Sequence, residues 1–430
     1  MQATLDKFLR NIPVNTRGFK RARSLDAEEA DEYLPETHNP WCDYRKALTL
    51  STKKSTNTDL TNSFDIQFTP SMLDSLNQQQ HRFTKCDIQF DITNRLIIVD
   101  TSAFLRLYDI DECTQSKGNP IDPIVTAHSK KISAHHGVDR AGAAHVTATQ
   151  FMGQTATLVC AYRGISKIDV FDLESLDEES CDPVFTFSLG KSGAESITAT
   201  TVLSLSDKTG ITGLSDGRTA LFDCRQKHPV ELTPLRKQSF SIGEKADATY
   251  ENAPFSALAI STNYLVTGSK RGVLQLWDVR NTASPIAAAR NQTNSPIGSF
   301  SVLSQSWCPS ILANDFSGEI SGFYLGPLGF EKFLTVETSD GKRRADNPIS
   351  TPKLSLLENS GMATLPHISS NSLLLVDLEQ KPVPGNVAHR GDFATVHTFS
   401  EKQICGSAFN NIYEQLFVGY TDGSLSGYTM

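Results

Sequence analysis

The sequence lacks the patterns that mark the commonest membrane, metal-binding and catalytic proteins. No stretch approaches the run of about 18 apolar residues that a membrane-spanning helix requires. The eight cysteines stand singly, without a Cys-x-x-Cys pair. P-loop, Gly-x-Ser-x-Gly and His-Glu-x-x-His motifs are absent. We therefore expect no membrane span, no zinc ribbon, no cofactor and no common hydrolase or nucleotide chemistry.

Few histidines or paired carboxylates are grouped so that they could bind a metal or catalyse a reaction. The only histidine cluster, His135-His136, is followed by Asp139 but by no cysteine or further carboxylate that would complete a metal site. Acidic runs such as 177–179 are typical of solvated surface. The sequence therefore predicts no metal site, no catalytic residues and no enzyme.

Composition and charge describe a folded, mildly acidic chain. Hydrophobic residues make up 39% and charged residues 20% of its 430 residues, which is enough for a sizeable core. Lys and Arg total 40 against 48 Asp and Glu, a formal charge of −8, so direct nucleic-acid binding is not expected. The first residues are amphipathic, unlike an apolar leader. We expect reduced thiols and a nuclear or cytoplasmic location.

A strand–turn–strand unit recurs seven times from about residue 80, with a period of roughly 50 residues. Glycines fall in the expected tight turns at Gly217, Gly272, Gly318 and Gly423. The third strand of each unit is expected to end at Asp109, Asp172, Asp223, Asp278, Tyr324, Asp377 and Tyr428. Because a lone hairpin cannot bury its own faces, such units must pack against one another.

The clearest unit is TGSKRGVLQLWDVR, residues 267–280, in which an apolar strand ends in Trp277-Asp278. This unit resembles the core of a WD repeat. The resemblance implies an all-β fold, a seven-bladed β-propeller over residues 41–430, with Trp277 buried between neighbouring blades. Residues 1–40 have basic and then acidic blocks with little apolar content, which predicts a disordered tail.

The seventh unit has only three strands before the sequence ends, whereas a propeller blade has four. We expect the missing strand to come from the N-terminal side, from either 44–51 or 64–69. The polar stretch between them, 52–63, is expected to be turn-like. An open ring with a short seventh blade is the alternative.

Two consecutive units end in Asp-x-Arg, at Asp223/Arg225 and Asp278/Arg280. They resemble the paired WDxR boxes of substrate receptors that dock onto the cullin-4 ubiquitin ligase adaptor, although Phe222 stands where the motif has Trp. The resemblance implies a partner-binding site formed by Arg225, Arg280, Asp223, Asp278 and Trp277. Each guanidinium group can pair with its aspartate or reach outward; if they form a docking surface, both should be at least partly exposed and not consumed by internal ion pairs. The alternative is that each Arg only stabilises its turn.

The N-terminus carries Gln2, Leu5, Phe8 and Leu9 at the spacing of a sliding-clamp-binding peptide, with Leu9 in place of the second aromatic residue. A helical turn would place the three apolar side chains in one pocket. The alternative is an amphipathic turn that packs on the propeller or frays in water. The basic run 20–23 resembles a weak nuclear localisation signal.

The sequence thus predicts a non-catalytic, protein-binding adaptor of the WD-repeat type. Its partners are expected to be other proteins, including a cullin-ligase adaptor and the sliding clamp, with no small-molecule substrate. The resemblances imply a nuclear substrate receptor of a cullin-4-type ligase that acts near replication or DNA damage. The alternative function is a structural scaffold subunit of an RNA-processing, chromatin or nuclear-pore assembly.

Overall fold

Almost all of the regular structure is β-strand. The computed structural model describes residues 48–51, 53–55, 61–66, 86–91, 96–101, 104–115, 121, 123–128, 145–153, 156–163, 165–174, 182–192, 195–215, 219–226, 230–232, 254–261, 264–269, 271–278, 280, 285–291, 294–303, 310–326, 329–337, 353–357, 362–366, 372–377, 394–398, 403–420 and 424–429. The predicted tail 1–40, the clamp-peptide residues and His135-His136 lie outside these ranges.

Three short strands precede the repeats, and four blades follow them. The N-terminal strands are β1 (Leu48–Ser51), β2 (Lys53–Ser55) and β3 (Thr61–Ile66). Blade 1 contains β4 (Cys86–Phe90), β5 (Leu96–Thr101), β6 (Phe104–Asp109) and β7 (Val125–His128), with the helix α1 (Ile110–Gln115) after β6. Blade 2 contains β8 (His145–Phe151), β9 (Thr157–Arg163), β10 (Lys167–Asp172) and β11 (Phe185–Ser188), followed by the small hairpin β12 (Lys191–Ser192) and β13 (Glu195–Ser196). Blade 3 contains β14 (Ala199–Ser204), β15 (Thr209–Leu214), β16 (Thr219–Asp223) and β17 (Val230–Leu232). Blade 4 contains β18 (Pro254–Ser261), β19 (Tyr264–Ser269), β20 (Val273–Asp278) and β21 (Ala287–Arg290).

Three more blades complete the set. Blade 5 contains β22 (Ile297–Leu303), β23 (Ser310–Asp315), β24 (Ile320–Gly326) and β25 (Gly329–Glu337). Blade 6 contains β26 (Ser355–Leu357), β27 (Met362–Pro366), β28 (Ser372–Asp377) and β29 (Ala394–Thr398). Blade 7 contains β30 (Ile404–Asn410), β31 (Gln415–Tyr420) and β32 (Leu425–Thr429), together with β3.

The blades form a closed ring. The first strand of each blade contacts the first strand of the next, in the order β4, β8, β14, β18, β22, β26, β30 and back to β4. The fourth strands are therefore outermost. Because neighbouring strands within a blade are antiparallel, two faces can be defined. The lower face carries the first-to-second and third-to-fourth turns, and the upper face carries the second-to-third turns. This is the all-β, seven-bladed propeller that the sequence predicts.

The core lies between adjacent blades. Many strands carry apolar residues at alternate or consecutive positions, and neighbouring blades cover them on both faces. Each blade therefore packs its two faces against its two neighbours. Between blades 3 and 4, Leu203 and Ile211 pack against Leu265 and Trp277. The Trp277 side chain is only 6% exposed, and its Nε1 donates a 2.9 Å hydrogen bond to Oγ1 of Thr267. The predicted burial of Trp277 between blades is confirmed.

Two of the four predicted glycine turns lie among the described residues and are equivalent. Gly272 (φ 71°) and Gly318 (φ 88°) both occupy second-to-third turns on the upper face, in left-handed backbone that favours glycine. A Cβ on Gly272 would also come within 1.8 Å of Oδ1 of Asn291. Gly217 and Gly423 lie outside the described residues.

The N-terminal strands close the ring and extend it. β3 pairs antiparallel with β32, which gives blade 7 its fourth strand. β1 pairs in parallel with β25 and β2 pairs in parallel with β29, so blades 5 and 6 each gain a fifth, outer strand. We call β1, β2 and β3 the N-terminal belt. Ring closure from the N-terminal side is confirmed, with 61–66 as the closing segment.

The structure decides between the two candidate closing segments and corrects one expectation about the stretch between them. The C-terminal part of 44–51 does form a strand, but on blade 5 and not as the closing strand of blade 7. The polar stretch 52–63 contains β2 and the start of β3 and is not simply a turn. Backbone hydrogen bonds to an exposed sheet edge stabilise these strands, so their side chains need not alternate in polarity.

Candidate interaction surface on the lower face

The third strands of blades 1 to 4 end on the lower face in the same local structure. Each closes with an aspartate whose Oδ1 accepts a hydrogen bond from the backbone N–H two residues later. The distances are 2.8 Å at Asp109, 3.2 Å at Asp172, 2.9 Å at Asp223 and 3.0 Å at Asp278. Aspartate suits this position because its short carboxylate reaches the backbone of the following turn. The turn fixes where the second residue after the aspartate projects.

Arg225 occupies that second position in blade 3 and turns back onto its own aspartate. Its Nε donates to Oδ1 of Asp223 at 2.9 Å, and its Nη2 donates to Oδ2 at 2.6 Å. This two-bond fork is the geometry that planar guanidinium and carboxylate groups favour. The hydrogen bonds from the Arg225 side chain and then from its backbone lower the pKa of Asp223 from 3.8 to about 2.

Arg280 repeats the arrangement in blade 4. Its Nε donates to Oδ1 of Asp278 at 2.9 Å, and its Nη2 donates to Oδ2 at 2.8 Å. Nη2 also lies 3.2 Å from the hydroxyl of Tyr264, and the guanidinium carbon sits 5.6 Å from the centre of that ring. The Arg280 hydrogen bond holds the pKa of Asp278 below its usual value, and the carboxylate raises the pKa of Arg280. Both Asp-x-Arg pairs are therefore ionised at neutral pH.

Both arginines remain open to solvent despite these ion pairs. The side chain of Arg225 is 65% exposed and that of Arg280 is 56% exposed. Each fork uses Nε and Nη2, which leaves the Nη1 hydrogens without a hydrogen bond to any residue that the structure describes. The expectation of exposed guanidinium groups is met, but the expectation that they avoid internal ion pairs is wrong. The Asp turn places each Arg directly over the carboxylate, so the pair forms locally.

The equivalent positions in blades 1 and 2 carry the opposite charge. Asp111 follows Asp109 and Glu174 follows Asp172 at the same two-residue offset, and both side chains are exposed. At these four equivalent positions the side chain is therefore acidic in blades 1 and 2, and is an arginine paired with its own aspartate in blades 3 and 4. The Asp-x-Arg motif alone does not reveal this contrast in charge. The sequence does show it, as Asp-x-Asp and Asp-x-Glu at the equivalent strand ends of blades 1 and 2.

Exposed apolar side chains add a second feature to the lower side of the ring. Ile412 and Tyr413 lie in the first-to-second turn of blade 7, with 59% and 41% exposure. Ile124, Val184 and Phe185 lie where the fourth strands of blades 1 and 2 begin. These residues lie in a turn or at the start of a strand. No strand periodicity in the sequence therefore distinguishes them from core residues.

Within the ranges that the structure describes, no three His, Cys, Asp or Glu side chains are grouped so that they could hold a metal ion. No described helix is long and apolar enough to cross a membrane. Gln2, Leu5, Phe8 and Leu9 lie outside the described residues, so the clamp-binding peptide stays a prediction.

The closed ring of seven antiparallel blades defines a β-propeller whose lower face carries exposed charged and apolar side chains. The chain is similar in structure to the β-propeller domain of Cps50 (Swd1) from Myceliophteria thermophila. That match has a TM-score of 0.56 and 11% sequence identity, and it covers 81% of this chain and 97% of the other. No family model and no curated protein matches the sequence. The likeness establishes the propeller fold.

Proposed function

We propose that this protein is a non-catalytic interaction adaptor whose lower face docks another protein through Arg225 and Arg280. The supporting observation is that two arginines, at equivalent turns of adjacent blades, are each held in one orientation and yet are more than half exposed. Exposed ion pairs contribute little to stability, so stability alone gives a weak reason for the two forks. Pre-oriented guanidinium groups can bind a partner with less loss of side-chain entropy.

The partner that we propose is the adaptor subunit of a cullin-4-type ubiquitin ligase. The paired Asp-x-Arg boxes support this choice by their resemblance to the docking boxes of that ligase's substrate receptors. A nuclear location near replication or DNA damage is supported by the clamp-like N-terminal spacing and by the basic run 20–23. On this proposal the protein presents a substrate to the ligase.

A structural scaffold is the second candidate, and the ion pairs themselves favour it. Each guanidinium group is bound to its own aspartate, and Arg280 also contacts Tyr264. Such contacts would hold the turn even if no partner touched it. In that case the boxes serve the fold, and the protein belongs to an RNA-processing, chromatin or nuclear-pore assembly.

The test is co-purification of the full-length protein from its native host, comparing wild type with Arg225→Glu/Arg280→Glu. We expect wild type to recover the ligase adaptor and the double variant to lose it, because a reversed charge at a desolvated contact costs several kcal/mol. Arg225→Gln/Arg280→Gln removes the charge without adding repulsion to Asp223 and Asp278, and it should also weaken recovery.

The matched control is Arg271→Glu/Arg290→Glu, which makes the same charge change on the upper side of blade 4. It should recover the adaptor as wild type does. Thermal melts of all variants check that the fold is intact. Failure of wild type to recover a cullin adaptor would reject the ligase proposal, and equal recovery by the Arg225/Arg280 variants would reject the docking surface.

A further inference from the structure

The outer edges of the blades are not equally covered. The N-terminal belt lies along the outer edges of blades 5, 6 and 7, where its strands pair with β25, β29 and β32. Among the described strands, blades 1 to 4 end in β7, β11, β17 and β21. A strand at the end of a sheet presents backbone N–H and C=O groups on one side that can pair with another strand. This propeller already binds added strands at two complete four-stranded blades.

The edge strand of blade 2, β11, differs in sequence from the edge strands of blades 1, 3 and 4. The segments β7, β17 and β21 each include one ionisable residue, His128, Glu231 and Arg290. Arg290 is exposed at the end of β21, and a charged side chain at a sheet edge discourages strand addition. The sequence of β11 is Phe-Thr-Phe-Ser, with no ionisable group, so β11 lacks the protection that Arg290 gives β21.

β11 is also anchored firmly on its inner side. Phe187 is buried, and its ring centre lies 5.6 Å from that of Phe222 in blade 3. Oγ1 of Thr186 donates a 2.7 Å hydrogen bond to Oδ1 of Asp169 in β10. In contrast, Val184 and Phe185 are 52% and 44% exposed. A rigid strand with exposed apolar groups at its start is a suitable template for an incoming strand.

Charge near the start of β11 indicates what would bind there. Asp182 precedes the strand, and Glu174 follows β10 at the same lower end of the blade; both are exposed. In blades 5 and 6 the added strands run parallel to the edge they join. A segment added to β11 in the same direction would have its N-terminal end beside these carboxylates, where Lys or Arg would be favoured.

We propose that β11 is a binding site for an extended segment of another protein, which adds to blade 2 as a fifth, parallel strand. The segment has Lys or Arg followed by apolar residues, and its apolar side chains cover Val184 and Phe185. This site is separate from the Arg225 and Arg280 surface, and it accounts for an exposed apolar edge on a blade that the N-terminal belt does not cover.

The test begins with panning of the full-length protein against a phage-displayed library of random peptides of about 12 residues, long enough for one strand. We expect enriched peptides to share basic residues before an apolar stretch. Synthetic peptides of the enriched sequences are then the probes in calorimetry. Hydrogen exchange of the protein with each peptide should slow at 185–188, and N-methylation of alternate peptide backbone nitrogens should abolish binding.

Val184→Lys/Phe185→Lys should raise the dissociation constants of the peptides at least about tenfold. Ile412→Lys/Tyr413→Lys is the matched control, because that pair is similarly exposed but lies in a turn of blade 7. Glu174→Lys/Asp182→Lys should lower the affinity for peptides that carry the basic residues. It should leave unchanged the affinity for versions of these peptides in which the basic residues are replaced by Ser. Arg225→Glu/Arg280→Glu should leave peptide binding unchanged, which separates this site from the lower-face proposal.

Several results would overturn the proposal. One is the absence of any shared pattern among the enriched peptides, and another is full affinity in the Val184/Phe185 variant. Slowed exchange at another blade would place the site elsewhere. Concentration-dependent dimerisation of wild type that the Val184/Phe185 variant loses, without peptide binding, would assign this edge to a second copy of the chain.

Discussion

At the scale of single residues, one position decides what each blade shows to its surroundings. The aspartate turn is the same in blades 1 to 4, and the residue two places later is Asp111, Glu174, Arg225 or Arg280. The backbone turn therefore places this residue in the same position on each of the four blades, and its side chain determines the local charge. Trp277 and Asp278 are both buried, in contrast to the exposed arginine that follows them.

Trp277 can be tested directly as a core residue. Trp277→Ala should lower the free energy of unfolding by about 3–5 kcal/mol, because it empties a large volume between blades 3 and 4. Trp277→Phe keeps most of that volume but removes the hydrogen bond to Thr267, and it should cost less than the alanine change. Chemical denaturation monitored by circular dichroism measures both. Equal losses for the two variants would mean that packing at this position is not the main contribution.

The Asp223–Arg225 pair predicts a specific dependence on pH. The pKa of Asp223 is about 2 in the folded protein, below its ordinary 3.8, so its ion pair is fully formed above about pH 4. The contribution to stability is lost as the pH falls from 4 toward 2. Arg225→Gln should raise the Asp223 pKa toward 3.8, as measured by carboxyl NMR titration, and should flatten the loss of stability in that range.

Arg280→Gln is the control for this titration, since Arg280 is paired with Asp278 in the next blade. It should leave the Asp223 midpoint in place. An Asp223 midpoint that stays near 2 in Arg225→Gln would show that the backbone hydrogen bond alone holds the carboxylate ionised.

At the scale of strands and turns, the sequence predicted the inner three strands of each blade well and the outer strands poorly. The predicted third-strand ends at Asp109, Asp172, Asp223, Asp278 and Asp377 agree with the structure, whereas those at Tyr324 and Tyr428 fall short of the observed ends at Gly326 and Thr429. These strands are apolar because both of their faces are covered, so periodicity reveals them. The fourth strands of blades 1 to 4 have only three or four residues, too few to show a clear periodicity.

The belt strands were hard to predict for a related reason. Lys53–Ser55 contains two lysines and a serine, and its backbone pairs with β29. Side-chain patterns carry no information about such a contact. The candidate site was predictable only in part: sequence identified the two arginines, but the forks to their aspartates and the exposed edge of β11 depend on three-dimensional placement.

The N-terminal segment is an element whose prediction is still to be tested. A peptide of residues 1–24 should bind the sliding clamp with a dissociation constant in the micromolar range or weaker, measured by calorimetry or NMR. Leu9→Phe restores the second aromatic residue of the motif and should tighten binding by about 1–2 kcal/mol. A peptide with Phe8→Ala is the negative control. Absence of any shift for the wild-type peptide at high concentration would remove the clamp from the list of partners.

At the scale of the whole molecule, the ring is held together by segments from opposite ends of the sequence. Blade 7 joins β3, from residues 61–66, to three strands from the last 30 residues. The first strands contact one another around the complete ring, so each blade depends on two neighbours. Opening one blade exposes apolar faces on both sides of the gap, which makes ring closure a property of the entire propeller.

Graded truncation tests this closure and separates it from the rest of the N-terminal belt. Removal of residues 1–56 deletes β1 and β2 but keeps β3, so blade 7 stays complete and the melting temperature should fall only slightly. Removal of residues 1–66 also deletes β3 and leaves the edge of β32 unpaired, which should lower the melting temperature by about 10 °C or more, or abolish soluble expression. A synthetic peptide of residues 57–75, added to the shorter protein, should restore part of the lost stability because it can occupy the same edge. If the two truncated proteins have the same melting temperature, β3 does not close the ring and blade 7 is stable with three strands.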